Sequence, residues 1–277
     1  MVSDQLYKEL SNAINNHKKV ALLTITSYAD KELVGKKLLL MNDKRYVVDE
    51  DYSQELIEVL IEGAYSLLLQ NKSKTFSARY QEEEMECFVE VFLPPLKLIV
   101  AGAGHVSEPV ATIGQMLGFY VTVIDDREDF ANQHRFPMAD EVVCSSYIEY
   151  FRNVPLSPHT YILLLTRGHK FDVVSLQEIL KREESIPDES RTKYIGMIGS
   201  RRRISGVFEQ LKDEFTEHNF KNIFSPVGLD IGAETPEEIA ISIFAEILSV
   251  KNASSGKPLK EKIPSYSKLK FRERKDR

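Results

Sequence analysis

Between Leu96 and Ile198, short runs of continuous apolar residues alternate with helical patterns. The apolar runs are 97–101, 120–124, 141–143, 161–165 and 194–198. The helical patterns between them are 106–117, a short one at 147–151, 173–181 and 203–215. A strand buried on both faces reads as an unbroken apolar run, and strands joined through helices lie parallel. This half of the chain is therefore expected to form a doubly wound sheet covered by helices on both sides. Ligands of such sheets bind in the crevice outside the carboxyl ends of the strands.

The first of these strands runs into Gly102-Ala103-Gly104-His105-Val106-Ser107, of the form G-x-G-x-x-S. Gly102 permits a tight turn, and Gly104 lacks the Cβ that would hold a pyrophosphate off the backbone. The following helix offers free N–H groups and the positive end of its dipole. Pro109 suits a first helical turn, and Gly118 closes the helix. Ser107, standing in place of a third glycine, is expected to loosen helix-to-strand packing slightly. The next strand ends at Asp125-Asp126-Arg127, the offset at which an acidic side chain binds a ribose diol and repels a 2′-phosphate. Strand, turn, helix and acid together point to a Rossmann-like domain with a nucleotide or similar phosphate-bearing ligand. His105 stands at the helix start, where a neutral imidazole either donates to a ligand oxygen or fixes the turn by hydrogen bonds.

Further polar residues fall at the carboxyl ends of the same strands. Thr166, Arg167, Gly168 and His169 follow the fourth run, and Gly199, Ser200, Arg201 and Arg202 follow the fifth. Cations and free N–H groups at a second helix start suit a second phosphate, or else form a solvated helix end. Thr235-Pro236-Glu237-Glu238 is a capping box before a helix that reads as apolar nearly all round, hence a buried closing element. Asp230, between Gly228 and Gly232, either orders that loop or touches a ligand.

The preceding block reads as a smaller α/β unit. A helix over 4–15 leads to the strand "VALLTI" and to a hairpin, "KKLLLM" and "RYVVD", turning at Asn42-Asp43. A helix over 53–69 and two alternating strands follow; in the second, Met85, Cys87, Val89 and Val91 share one face. Pro94-Pro95 stops the sheet. The expected organisation is a small domain over 1–93, the Rossmann-like domain over 94–250, and a basic, partly disordered tail over 251–277.

That tail holds ten Lys and Arg against three acids, about +7, in a chain of net charge −6. The body is therefore acidic, which argues against nucleic-acid binding. No apolar run reaches the roughly 20 residues of a membrane-spanning helix. Cys87 and Cys144 form neither a disulfide framework nor a Cys-x-x-Cys pattern, and the first residues lack a secretory pattern. A cytoplasmic location is the expectation.

The segments "LIVAGAGHVSEPVA", "GFYVTVIDDREDFA", "RFPMAD", "TRGHKFD", "YIGMIGSRRR" and "PVGLDIGAETPEEIAISIFAEIL" together resemble the XdhC/CoxI family, accessory factors of xanthine dehydrogenase and related molybdenum hydroxylases. The resemblance runs from about residue 93 to 250. It implies a protein that binds the molybdenum cofactor, a molybdopterin that in some forms carries a nucleotide. Such a protein guards the cofactor during sulfuration and helps insert it into the apo-hydroxylase. The implied partners are that apo-enzyme and a cysteine desulfurase, with room for a homo-oligomer. On this resemblance Gly102, Gly104, His105 and Val106 approach the phosphates and Asp125, with Asp126 and Arg127, approaches a ribose. Thr166, His169, Gly199, Ser200, Arg201 and Asp230 line the mouth.

The first domain departs from the family pattern: the Gly-Gly-Cys-Leu-Glu motif is missing, and Cys87-Phe88-Val89 stands where relatives show Cys-Gly-Gly. Cys87 is thus the one candidate thiolate for the metal, set against its reading as a buried structural thiol. A competing reading is an NAD(P)-dependent oxidoreductase using the same turn, with His169 as its acid–base group. A third is a degenerate relative that only senses or scaffolds.

Overall fold

The computed structural model describes residues 2–16 and 18–261, and it divides into two compact units meeting at Pro95 and Leu96. Most of the basic tail, from residue 262 on, lies outside the described residues. In the first unit, helix α1 (Val2–Asn15) precedes strands β1 (Val20–Ser27), β2 (Lys37–Met41) and β3 (Tyr46–Val48). Helix α2 (Gln54–Leu69) and strands β4 (Lys74–Tyr80) and β5 (Glu83–Phe92) follow. The sheet is antiparallel in the order β3-β2-β1-β5-β4.

Strand alternation assigns the two faces. Leu23, Ile25, Leu38, Leu40, Met85, Cys87 and Val89 pack with Leu56, Leu60, Ala64 and Leu68 of α2. Val20, Leu22 and Leu39 point the other way, against Leu6 and Leu10 of α1. Ser53 caps α2 by accepting from the Leu56 N–H at 3.1 Å.

The second unit contains the doubly wound sheet. Its elements in order are β6 (Lys97–Ala101), α3 (Ser107–Met116), β7 (Tyr120–Asp125), β8 (Glu141–Cys144), α4 (Tyr147–Asn153) and β9 (Thr160–Leu164). Then come α5 (His169–Glu183), β10 (Tyr194–Met197), α6 (Arg201–Leu211), β11 (Ile223–Phe224) and α7 (Pro236–Lys251). All six strands are parallel, in the order β11-β10-β9-β6-β7-β8. The chain builds outward from β6 through β7 to β8, then crosses back to β9 and builds the other way. The strand order therefore reverses between β6 and β9, which opens a crevice at their carboxyl ends.

The four central strands, β6, β7, β9 and β10, bury both faces, while the edge strands β8 and β11 are part-exposed. Leu98, Val100, Val121, Val123 and Leu163 pack with residues of α3 and α7. Ile99, Ala101, Ile124, Ile162 and Leu164 pack with α4, α5 and α6. Gly114 of α3 lets that helix lie close on the sheet, since a Cβ there would stand 2.8 Å from Leu98 Cδ2 and 3.0 Å from Val121 Cγ2. Among the described residues no helix is long and apolar enough to cross a membrane.

Several boundaries differ from the sequence reading. Helix α5 starts at His169 rather than 173, and α6 at Arg201 rather than 203, because Gly168 and Ser200 provide extended capping positions. Strand β11 has two residues, too few to leave a periodic signal. The capping box of α7 forms, with Thr235 accepting from the Glu238 N–H and Glu238 from the Thr235 N–H. The helix is not buried all round, however. Ala240, Ile243, Phe244 and Ile247 face the core, while Ile241 is 55% exposed. Truncating Ile243 to Ala is therefore expected to cost about 3 kcal/mol, and Ile241→Ala less than about 0.5 kcal/mol, in equilibrium denaturant unfolding.

Candidate functional site

Gly102 leaves β6 with φ +113°, a conformation open to glycine, and its N–H donates to the Ile124 carbonyl at 2.7 Å. A Cβ there would stand 2.3 Å from the Leu165 carbonyl oxygen. Gly102 therefore makes the expected tight turn and also permits the close approach of β6 to the β9 end. Gly104 faces open space: a Cβ built on it meets nothing within 4 Å. Ser107 does more than tolerate the third glycine position. It is fully buried, and its hydroxyl donates to the Gly102 carbonyl at 2.6 Å, closing the turn. Beyond the turn, the backbone N–H groups of Gly104, His105 and Val106 have no hydrogen-bond partner among the described residues. His105 is exposed beside them, and Val106 packs on the core. Three amides ahead of a ten-residue helix form a donor-lined cradle suited to an anion.

Asp125 departs from the expectation of a ribose acceptor. Its side chain is 1% exposed and both oxygens are engaged by protein donors. Oδ2 accepts from the Ala103 N–H at 2.8 Å and from Arg127 Nη2 at 3.0 Å. Oδ1 accepts from Arg127 N–H and Nε at 3.1 and 2.8 Å. Burial works to raise this carboxyl, but the bonds from Arg127 and Ala103 outweigh it and hold the pKa at about 2. Asp126 pairs in the same way with Arg167, through Nη1 and, at 3.0 Å, Nη2. Each guanidinium lies on a ring: Arg127 is 3.6 Å from the Phe130 centroid, and Arg167 is 3.9 Å from that of Phe171.

Two arginines that the sequence reading gave no role complete the rim. Arg135 donates to the Ala103 carbonyl at 3.0 Å and pairs with Glu108, so it braces the glycine turn. Arg203 donates through Nε to the fully buried Asp172 at 2.6 Å and through Nη2 to the Thr166 carbonyl at 2.9 Å. Thr166 itself donates to Asp172 at 2.6 Å. It is thus buried in a network joining the β9 end to α5 and α6. Asp172 stands just ahead of one helix pattern, Arg203 opens another and Arg135 lies in a loop, so no periodicity marked them.

The remaining candidates separate. Ser200 is the α6 cap, accepting from the Arg203 N–H, and Gly199 lies against the Arg203 side chain. His169 turns toward α6, where a Cβ on Gly206 would stand 2.9 Å from its Nε2. Arg201 and Asp230 are exposed, with no hydrogen bond or ion pair among the described residues. Of its two readings, Cys87 takes that of a buried structural thiol. It is fully buried in the first unit's core, and burial pushes its thiol up to about 12, away from the thiolate a metal needs. No group of three or more His, Cys, Asp or Glu among the described residues could hold a metal ion.

The strand order, the unpaired amides and the arginine rim define a Rossmann-type domain with a donor-lined crevice at its switch point. The model of the XdhC Rossmann domain matches residues 98–247, more than half of the chain. The chain belongs to the XdhC family.

The uncharacterized protein YqeB of Escherichia coli (strain K12) is 31% identical over 188 residues, 67% of this chain and 33% of that protein. A probable xanthine dehydrogenase subunit of Bacillus subtilis (strain 168) is 27% identical over 183 residues, 66% of this chain and 51% of that protein. This chain thus spans a third and about half of the lengths of these two relatives. The crystal structure of a xanthine dehydrogenase from Bacillus halodurans superimposes with a TM-score of 0.63 at 25% identity, over 91% of this chain and 69% of that one.

Two outcomes test this geometry. Gly102→Ala should lower stability by on the order of 3 kcal/mol, through strain and the clash with Leu165, whereas Gly104→Ala should change the thermal midpoint little. Asp125 should stabilise the fold by about 2 to 3 kcal/mol, the shift from an unfolded pKa of about 3.9 to a folded one near 2. A depressed pKa means that this stability is present in full above pH 4 and is lost as pH falls toward 2. The stability difference between wild type and Asp125→Asn, followed by urea unfolding, should shrink across that window.

Proposed function

We propose that this chain acts as an accessory factor of a xanthine dehydrogenase or related molybdenum hydroxylase. In this reading it holds the molybdenum cofactor through its phosphate-bearing end while the cofactor is sulfurated and passed to the apo-enzyme. The observation that carries the reading is the open backbone at Gly104 with the unpaired N–H groups of Gly104, His105 and Val106. That cradle fits a phosphate or pyrophosphate, which the cofactor supplies. The protein's part is to bind and orient: the amides grip the anion, Arg135 and Ser107 keep the turn in shape, and His105 stands exposed at its edge. The bound group would supply the metal and its sulfur chemistry. Cys87 does not fit as a ligand to that metal, so retention falls to the phosphate end. The nicotinamide reading loses support because His169, its one acid–base candidate, packs against Gly206 of α6. A cysteine desulfurase as sulfur donor, self-association and a cytoplasmic location belong to the same proposal.

The test is an anaerobic titration of the full chain with molybdenum cofactor, read by pterin fluorescence. Saturable binding is expected, with no NADH consumed. Gly104→Val should keep the circular dichroism spectrum and weaken binding more than tenfold, about 1.4 kcal/mol, because its methyls fill the anion's place. Equal affinity in the variant would remove the crevice as the site.

A further inference from the structure

The edge strands of the two sheets are β3, β4, β8 and β11. Three of them are short: β3 has three residues, β8 four and β11 two. A short edge offers little to pair with, which is one way folded chains avoid joining sheets edge to edge. Strand β4 is different. It runs for seven residues, Lys74-Thr75-Phe76-Ser77-Ala78-Arg79-Tyr80, without proline or glycine. Its register with β5 is unbroken from Lys74↔Val89 to Tyr80↔Glu83, so no bulge turns the edge aside. Lys74, Thr75, Ser77 and Arg79 are exposed. At every other residue of such a strand the backbone N–H and C=O point outward, as a template for a further strand.

The apolar layer of the first unit runs into this edge and stops there. Phe76 and Ala78, opposite Cys87 and Met85 on the core face, are only part-buried. Phe76 lies on α2 at Gly63, where a Cβ would stand 2.1 Å from its ring. An antiparallel copy of the same strand, related by a two-fold axis at Ser77, completes the layer. Phe76 then stands opposite Ala78 of the second copy, so large meets small on both sides of the axis. The only charges of the strand also fall well. Lys74 comes opposite Tyr80 and Arg79 opposite Thr75, so neither cation meets a like charge, and Ser77 meets Ser77. We infer that β4 is a self-association surface, pairing antiparallel with β4 of a second copy and joining two five-stranded sheets edge to edge. A two-fold pairing uses the same patch on both chains and closes on itself, so it ends at a dimer rather than a fibre. The inference gives the self-association proposed above a surface. It uses no residue of the crevice, so the two readings stand or fall separately.

The test is sedimentation velocity of the full chain over a concentration series, which should show a dimer. Ser77→Glu sets two carboxylates against each other at the axis and should weaken dimerisation by about tenfold. Ser77 is exposed, so the circular dichroism spectrum of the variant should match that of wild type. Ser77→Cys gives an independent readout. Cβ atoms directly opposed in an antiparallel pair lie about 4.5–5.5 Å apart, and mild oxidation should link two such chains into a covalent dimer. Wild type, with its exposed Cys144, is the control and should stay unlinked. A wild-type chain that remains monomeric up to its solubility limit overturns the inference. A dimer that Ser77→Glu leaves intact, or that gives no link through residue 77, also overturns it, because that dimer uses another surface. None of these outcomes bears on binding of the cofactor at Gly104, which the pterin titration reads.

Discussion

The carboxylate of Asp125 is the joint on which the crevice depends. It ends β7, yet it accepts from the Ala103 amide inside the glycine turn after β6. One buried charge therefore sets the spacing of two adjacent strand ends. A buried carboxylate is tolerable only when its partners are close and well aligned, and here Arg127 supplies both backbone and guanidinium donors. The turn is held from its other side by Arg135 on the Ala103 carbonyl. Ala103 thus has its donor and acceptor both tied down, and the next three amides are left without a partner among the described residues.

Charge on the rim is arranged in closed pairs. Arg127 with Asp125, Arg167 with Asp126, Arg135 with Glu108 and Arg203 with Asp172 leave little net field from eight charged groups. Attraction for an anion then comes from oriented N–H groups and free guanidinium edges rather than from bulk positive potential. Such a rim favours ligands by shape and donor geometry, in keeping with an overall acidic chain.

Much of this was legible in the sequence, for definite reasons. Continuous apolar runs at 97–101 and 161–165 announced strands buried on both faces, and the same runs form the centre of the sheet. Gly104 and the Thr235 capping box carry strictly local signals, and both took their expected local forms. What the sequence hid was relational. Asp125 looked like a ligand residue because its offset fits one, but only the fold brings Ala103 and Arg127 to its oxygens. Gly102 was legible as a turn glycine, but the Leu165 carbonyl that also demands glycine there is 63 positions away in the chain. Thr166, Asp172 and Arg203 meet across three elements, and nothing in their separate neighbourhoods foretells it. Cys87 was readable from alternation alone, which placed it with Met85 and Val89 on the core face.

The Ser107 hydroxyl bonded to the Gly102 carbonyl has a consequence for exchange. A loop that must be frozen by its guest charges an entropic toll on every arrival and rewards every departure with restored freedom. A loop already latched by its own serine has its shape set before any guest arrives, so little freedom is left for binding to remove. In the carrier role proposed above, the docking end would then be a rigid socket from which cargo is lifted without dismantling the holder.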